Sequence, residues 1–113
     1  MLVQYILLRG DLKWSQGALI AQACHASIAC LFKYKDHPNV LKYTSDENLN
    51  RMHKVVLKVK DENELEAIHK TISDKHDCYL WHEQPENIPV CLACLPLEKD
   101  IIHPLVKHLP LFK

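Results

Sequence analysis

Net charge is the first thing this sequence lacks. Fourteen Lys and Arg against fourteen Asp and Glu cancel over 113 residues. Bulk electrostatics therefore attracts no polyanion, and any contact with nucleic acid has to come from a local patch. Long apolar runs are missing too. No stretch approaches the roughly 18 residues of a membrane-spanning helix, so a membrane partner is not expected. Leu2–Leu8 is apolar but short, has no basic leader and runs straight into Arg9-Gly10-Asp11, so it reads as structure rather than as a signal peptide. Glycine is limited to Gly10 and Gly17, too few for a Gly-rich phosphate loop.

An even cysteine set is also absent. The five thiols are Cys24, Cys30, Cys78, Cys91 and Cys94. An odd number without a secretory leader points to reduced cysteines and a cytoplasmic protein. Cys91-x-x-Cys94 falls in an apolar strand segment, where residues three apart point to opposite faces. A zinc site needs a second ligand pair and a redox pair wants a helix N-terminus, so no metal site and no disulfide are expected. The eight histidines are scattered without ligand spacing.

What is present is an ordinary globular composition. The chain is 48% apolar and 25% charged, which suits one domain, residues 1–113, with a core of its own. Trp14–Phe32, WSQGALIAQACHASIACLF, reads as one helix apolar nearly all round, hence buried, with Ile20, Cys24, Ile28 and Leu31 on a core-facing side. Gln22 and His25 project together, flanked by Ala18, Ala21 and Ala29. They are either core polar groups satisfied by backbone or the lining of an opening that admits something polar. Ser15 is the candidate N-cap. With Gly17 in the first turn and Arg9 and Lys13 beside it, this strand–turn–helix entry is also a candidate anion site.

Pro38 opens a short helix to about Tyr43. Met52–Val59 alternates as a strand, with Val55, Leu57 and Val59 on one face and Lys54, Val56 and Lys58 on the other. Lys54 and Lys58 are a solvated strand face or part of a basic patch. Asp61 with Glu64 starts a second long helix, about 62–75, in capping-box fashion. Asp77–Trp81 is a short strand, and 82–89, with two prolines, reads as a loop. Val90–Leu95 is the last strand; Val90 and Leu92 belong to the core. Asp100 caps a final helix with Pro104 in its first turn and Ile101, Leu105, Val106 and Leu109 packed. The order predicts an α/β fold: a mixed four-stranded sheet flanked by helices.

VQYILLRGDLKWSQGALIAQACHASIA resembles the opening of the archaeal and eukaryotic class II peptidyl-tRNA hydrolases. It shows a strand ending in arginine, an aspartate–leucine turn and a helix with G-x-x-x-A-Q-x-x-H-A. KVVLKVKDENELEAI is similar to the family's second strand and following helix, so the resemblance spans essentially the whole chain. Gln84-Pro85-Glu86-Asn87 and the LF-K ending resemble the peptidyl-tRNA hydrolase domain-containing branch. Ala18 stands where the family has lysine, Val90 falls near its threonine, and Glu83 replaces its loop aspartate.

The resemblance implies hydrolysis of the ester between a peptide and the terminal ribose of tRNA, a homodimer, no cofactor and no DNA partner. Such a reaction needs a base, an oxyanion donor and a proton for the leaving oxygen. Glu83 or His25 is the expected base, and Gln22 or Asn87 the donor to the carbonyl. Arg9, Lys13, Lys54, Lys58 and the amides near Ser15–Gly17 are expected to hold tRNA phosphates. The alternative is a catalytically silent tRNA- or protein-binding module on the same fold.

Overall fold

Strand β1 (Leu2–Arg9) is buried along its whole length, which explains why, Gln4 and the terminal Arg9 excepted, it is an apolar run rather than an alternating one. The computed structural model describes residues 1–113. After β1 come α1 (Gln16–Lys33), α2 (Pro38–Tyr43), β2 (Lys54–Val59), α3 (Glu62–Ser73), β3 (Cys78–Glu83), β4 (Ile88–Cys94), β5 (Leu97–Glu98) and α4 (Lys99–Val106). A single 3-10 turn, Leu49–Arg51, precedes β2. The sheet runs β2-β1-β4-β3. β1 and β2 are parallel, while β4 lies antiparallel to both its neighbours. The mixed α/β architecture is as the sequence predicts, with one addition. Beyond Pro96, β5 resumes pairing with the start of β1, where β4 has already left it.

Local signals set the helix starts. Ser15 Oγ accepts from the Ala18 amide at 3.2 Å, and Asp61 Oδ1 accepts from the Glu64 amide at 2.9 Å. Glu64 Oε1 reaches back to the Lys60 amide at 2.8 Å, completing a capping box displaced by one residue. His37 caps α2 through Nδ1, with Pro38 at the first helical position. The last helix differs from expectation. It starts at Lys99, so Asp100 lies inside it, no side chain caps it and Pro104 is interior. Its packed face is Ile102 and Val106, Leu109 is buried just beyond its end, and Ile101 is exposed.

The two faces of the sheet bury different sets. Leu7, Leu57, Val59, Leu65, Ile72, Leu92, Cys94 and Ile102 form the larger core on the α3 and α4 side. Ile6, Leu8, Ala26, Cys30, Val90, Cys91 and Ala93 form the smaller one under α1. Cys91 and Cys94 thus point to opposite sides of the sheet, and all five cysteines are free. Burial pushes the Cys30 thiol up to about 12 and Cys78 to about 11, so both stay protonated at neutral pH.

The face of α1 that packs is not the expected one. Gln22, Ala26, Ser27 and Cys30 are buried, whereas Ile20 and Ile28 are 59% and 63% exposed and Cys24 lies at the surface. Small side chains let the helix sit close to the sheet, and Ser27 donates to the buried Gln4 Oε1 at 2.6 Å. Val55 and Leu31, also expected in the core, are half-buried at its margin. The displaced Ile20, Cys24, Ile28 and Leu31 instead line an apolar groove of about 650 Å³ beside Val56 and Phe112. The C-terminal residues border this groove. Pro110 accepts from the Lys58 amide at 2.8 Å and the Phe112 amide donates to Val56 at 3.0 Å, which covers the free edge of β2. No helix is long and apolar enough to cross a membrane.

Candidate active site

One end of the sheet gathers the C-terminus of β1, the β3–β4 hairpin and the first turns of α1. Open α/β sheets bind ligands at such an end. The hairpin is longer than the sequence suggests. β3 continues through His82-Glu83, β4 starts at Ile88-Pro89, and only Gln84–Asn87 remain as the turn. Pro89 is tolerated because it sits beside a register shift. Trp81 pairs with Cys91 and His82 with Pro89, so Val90 is the extra residue of a bulge.

Strand alternation puts Tyr79, Trp81 and Glu83 on the face that meets α1. There Gln22, 3% exposed, makes both of its contacts. Its Oε1 accepts from Trp81 Nε1 at 2.8 Å, and its Nε2 donates to Glu83 Oε2 at 3.1 Å. Indole N–H only donates and a carboxylate only accepts, so these partners fix which way the amide points. Glu83 Oε1 takes no hydrogen bond from the protein, and one N–H of Gln22 remains free. His25, one turn further along, lies flat against Trp81, ring centroids 4.7 Å apart and planes 23° from parallel. The sequence reading missed Trp81. Its alternation with Glu83 carried the signal, but an aromatic on a strand is ordinarily core.

The structure thus joins Gln22, His25 and Glu83 around an indole, and it leaves Asn87 in the turn. Asn87 adopts φ 58°, a left-handed conformation that asparagine tolerates, and its Oδ1 accepts from Gln84 Nε2 at 2.9 Å. Ala18 precedes Gln22 by one helical turn on the same face and is half-buried. Val90 is fully buried.

The basic residues divide. Arg9 is 8% exposed and already engaged. It donates to Asp11 through Nε at 3.0 Å and Nη2 at 2.9 Å, and through Nη1 to the Pro89 carbonyl at 3.0 Å and Glu62 at 3.4 Å. These bonds hold the Asp11 carboxyl below its ordinary value. Lys13, Ser15 and Gly17 are exposed at the start of α1. Nothing stands within 4 Å of Gly17 on its side-chain side, and the Gln16 and Gly17 amides have no protein acceptor. Lys58 lies opposite Leu8, near this end of the sheet. Its stem covers Gly10, where an added Cβ would come within 2.4 Å of Lys58 Cδ. Lys54 sits at the far end, opposite Gln4, donating to the Tyr43 hydroxyl at 3.2 Å. Burial lowers the pKa of its ammonium.

Residues 2–112 match the family model described as peptidyl-tRNA hydrolase PTH2. The human protein named "Putative peptidyl-tRNA hydrolase PTRHD1" is 44% identical over 119 residues, covering 100% of this chain and 84% of that one. A peptidyl-tRNA hydrolase of Methanococcus vannielii is 43% identical, covering 98% of this chain and 99% of its own. That of Methanopyrus kandleri is 32% identical over the full length of both. With the model matched from the first strand to the penultimate residue, this chain belongs to the PTH2 peptidyl-tRNA hydrolase family.

Proposed function

We propose that this protein hydrolyses peptidyl-tRNA, cleaving the ester between the peptide and the terminal ribose. The observation that carries the reading is the Gln22–Glu83 hydrogen bond, 3.1 Å, anchored by Trp81. It holds one carboxylate oxygen and leaves the other open to a water. Glu83 takes the proton of that water as it attacks the carbonyl. The free N–H of Gln22 donates to the oxyanion that forms, and the leaving ribose oxygen collects the proton from Glu83. Lys13, Lys58, Ser15 and the free amides of Gln16 and Gly17 hold acceptor-stem phosphate at the helix N-terminus. Arg9 and Lys54 are less suited, the first because its donors are engaged, the second because it lies at the opposite end. DNA carries no such ester and is not a partner. The protein is expected to act in the cytoplasm.

The test is release of free tRNA from a purified N-acyl-aminoacyl-tRNA. Release above the uncatalysed rate supports the reading. Binding without release favours the silent module, a reading motivated by Ala18 and Val90, which supply neither ammonium nor hydroxyl. In either case affinity for tRNA should fall with salt by about 0.7–0.9 log units per log unit for each phosphate neutralised.

The family likeness also suggests a homodimer, and the exposed Ile20, Ile28 and Phe32 on one flank of α1 support it, because solvent-facing apolar patches of this kind mark interaction surfaces. Light scattering should give twice the chain mass, and Ile28→Lys should return it to one. A monomeric wild type at micromolar concentration removes the dimer.

A further inference from the structure

The imidazole of His25 is exposed, makes no hydrogen bond to the protein and has one face covered by the indole of Trp81. The indole N–H is committed to Gln22. What remains free is the outer face of the imidazole, a flat ring backed by a second flat ring. Gln22 and His25 are three residues apart, about 4.5 Å along the helix axis. The shelf therefore begins one short step from the Gln22–Glu83 pair.

A tRNA ester constrains where its last base can go. The scissile bond sits on the ribose of the terminal adenosine, so an ester carbonyl at Gln22 and Glu83 brings that adenine within one nucleotide's span of them. Beside the pair, His25 is an exposed flat ring, stacked on a Trp81 that is itself half-buried. Single-stranded bases are gripped by aromatic stacking in this way. A general base, by contrast, is held by a partner on its other ring nitrogen, and His25 has none.

We propose that His25, backed by Trp81, is the stacking shelf for the 3′-terminal adenine of the acceptor end. This rests on the peptidyl-tRNA reading, yet it is tested without hydrolysis. The probes are two RNA minihelices, one ending in cytidine-cytidine-adenosine and one lacking the terminal adenosine. Neither carries an ester. The wild type should prefer the complete end by about tenfold. His25→Ala should bind both alike, and His25→Phe, which keeps a flat ring but no titratable nitrogen, should restore the preference. Trp81→Ala should weaken it by removing the backing.

Equal affinity of the wild type for the two minihelices overturns the shelf and leaves the hydrolase reading standing. A preference that persists in His25→Ala, or that His25→Phe fails to restore, overturns it as well. If neither minihelix binds, shelf and tRNA substrate fall together. A tenfold preference in a protein that releases no tRNA keeps the shelf and removes the catalysis.

Discussion

Glu83→Gln is expected to slow release of tRNA from an N-acyl-aminoacyl-tRNA by about 10²–10⁴-fold, the usual contribution of a positioned acid–base group. The amide is nearly isosteric with the carboxylate, and its oxygen still accepts from Gln22 Nε2, which now donates to Glu83 Oε2 at 3.1 Å. The site therefore keeps its shape and loses only the capacity to take a proton. Single-turnover kinetics should show the loss in the chemical step, with kcat and kcat/KM falling together. Affinity for deacylated tRNA should change by less than about twofold, because phosphate contacts come from other residues. A loss below about tenfold would mean that the base lies elsewhere.

Gln22 shows why this site was only partly legible in the sequence. The Gln22–His25 spacing and the neighbouring alanines mark one face of a helix, and the resemblance carries Gln22 and Glu83 into the same site. Yet the bond between them closes across 61 residues. Trp81, which holds the other end of the amide, looks locally like any aromatic on a half-buried strand. Asn87 illustrates the opposite case. Its place in a four-residue turn is visible once the strands are known, but its side chain is engaged by Gln84, a local bond that competes with any role toward Gln22.

The fold was more legible wherever a signal was local. An apolar run made β1, proline opened α2, and Asp61 with Glu64 started α3. The facing of α1 was not local. A helix apolar nearly all round has no polar stripe to mark its outside, so hydrophobicity cannot choose its buried side. Close approach to the sheet chose Ala26, Ser27 and Cys30, and the bulky Ile20 and Ile28 were left outside. In α4 the local signal misled: Asp100, as N-cap, suggested a helix start two residues too late.

Arg9 is the residue whose role changes most between sequence and structure, and its removal should be felt in stability rather than in tRNA affinity. Arg9→Met keeps the buried stem and deletes the guanidinium. It leaves the Pro89 carbonyl, the buried acceptor at 3.0 Å, without its donor. It also removes the paired bonds to Asp11 that join the end of β1 to the turn after it. Losing a mostly buried charge with several hydrogen bonds should cost about 2–4 kcal/mol, or roughly 10–20 °C in Tm for a domain of this size. Asp11 supplies a pH signature. Arg9 depresses its folded pKa, so the stabilisation is fully present above the unfolded value of about 3.9 and is lost as pH falls through the lower folded value. The stability gap between wild type and Arg9→Met should therefore narrow below about pH 4. Urea melts at pH 7 and pH 3 measure it. If Arg9→Met is instead as stable as wild type and binds tRNA tenfold more weakly, the guanidinium is a phosphate ligand and its bonds to Asp11 and Pro89 are incidental.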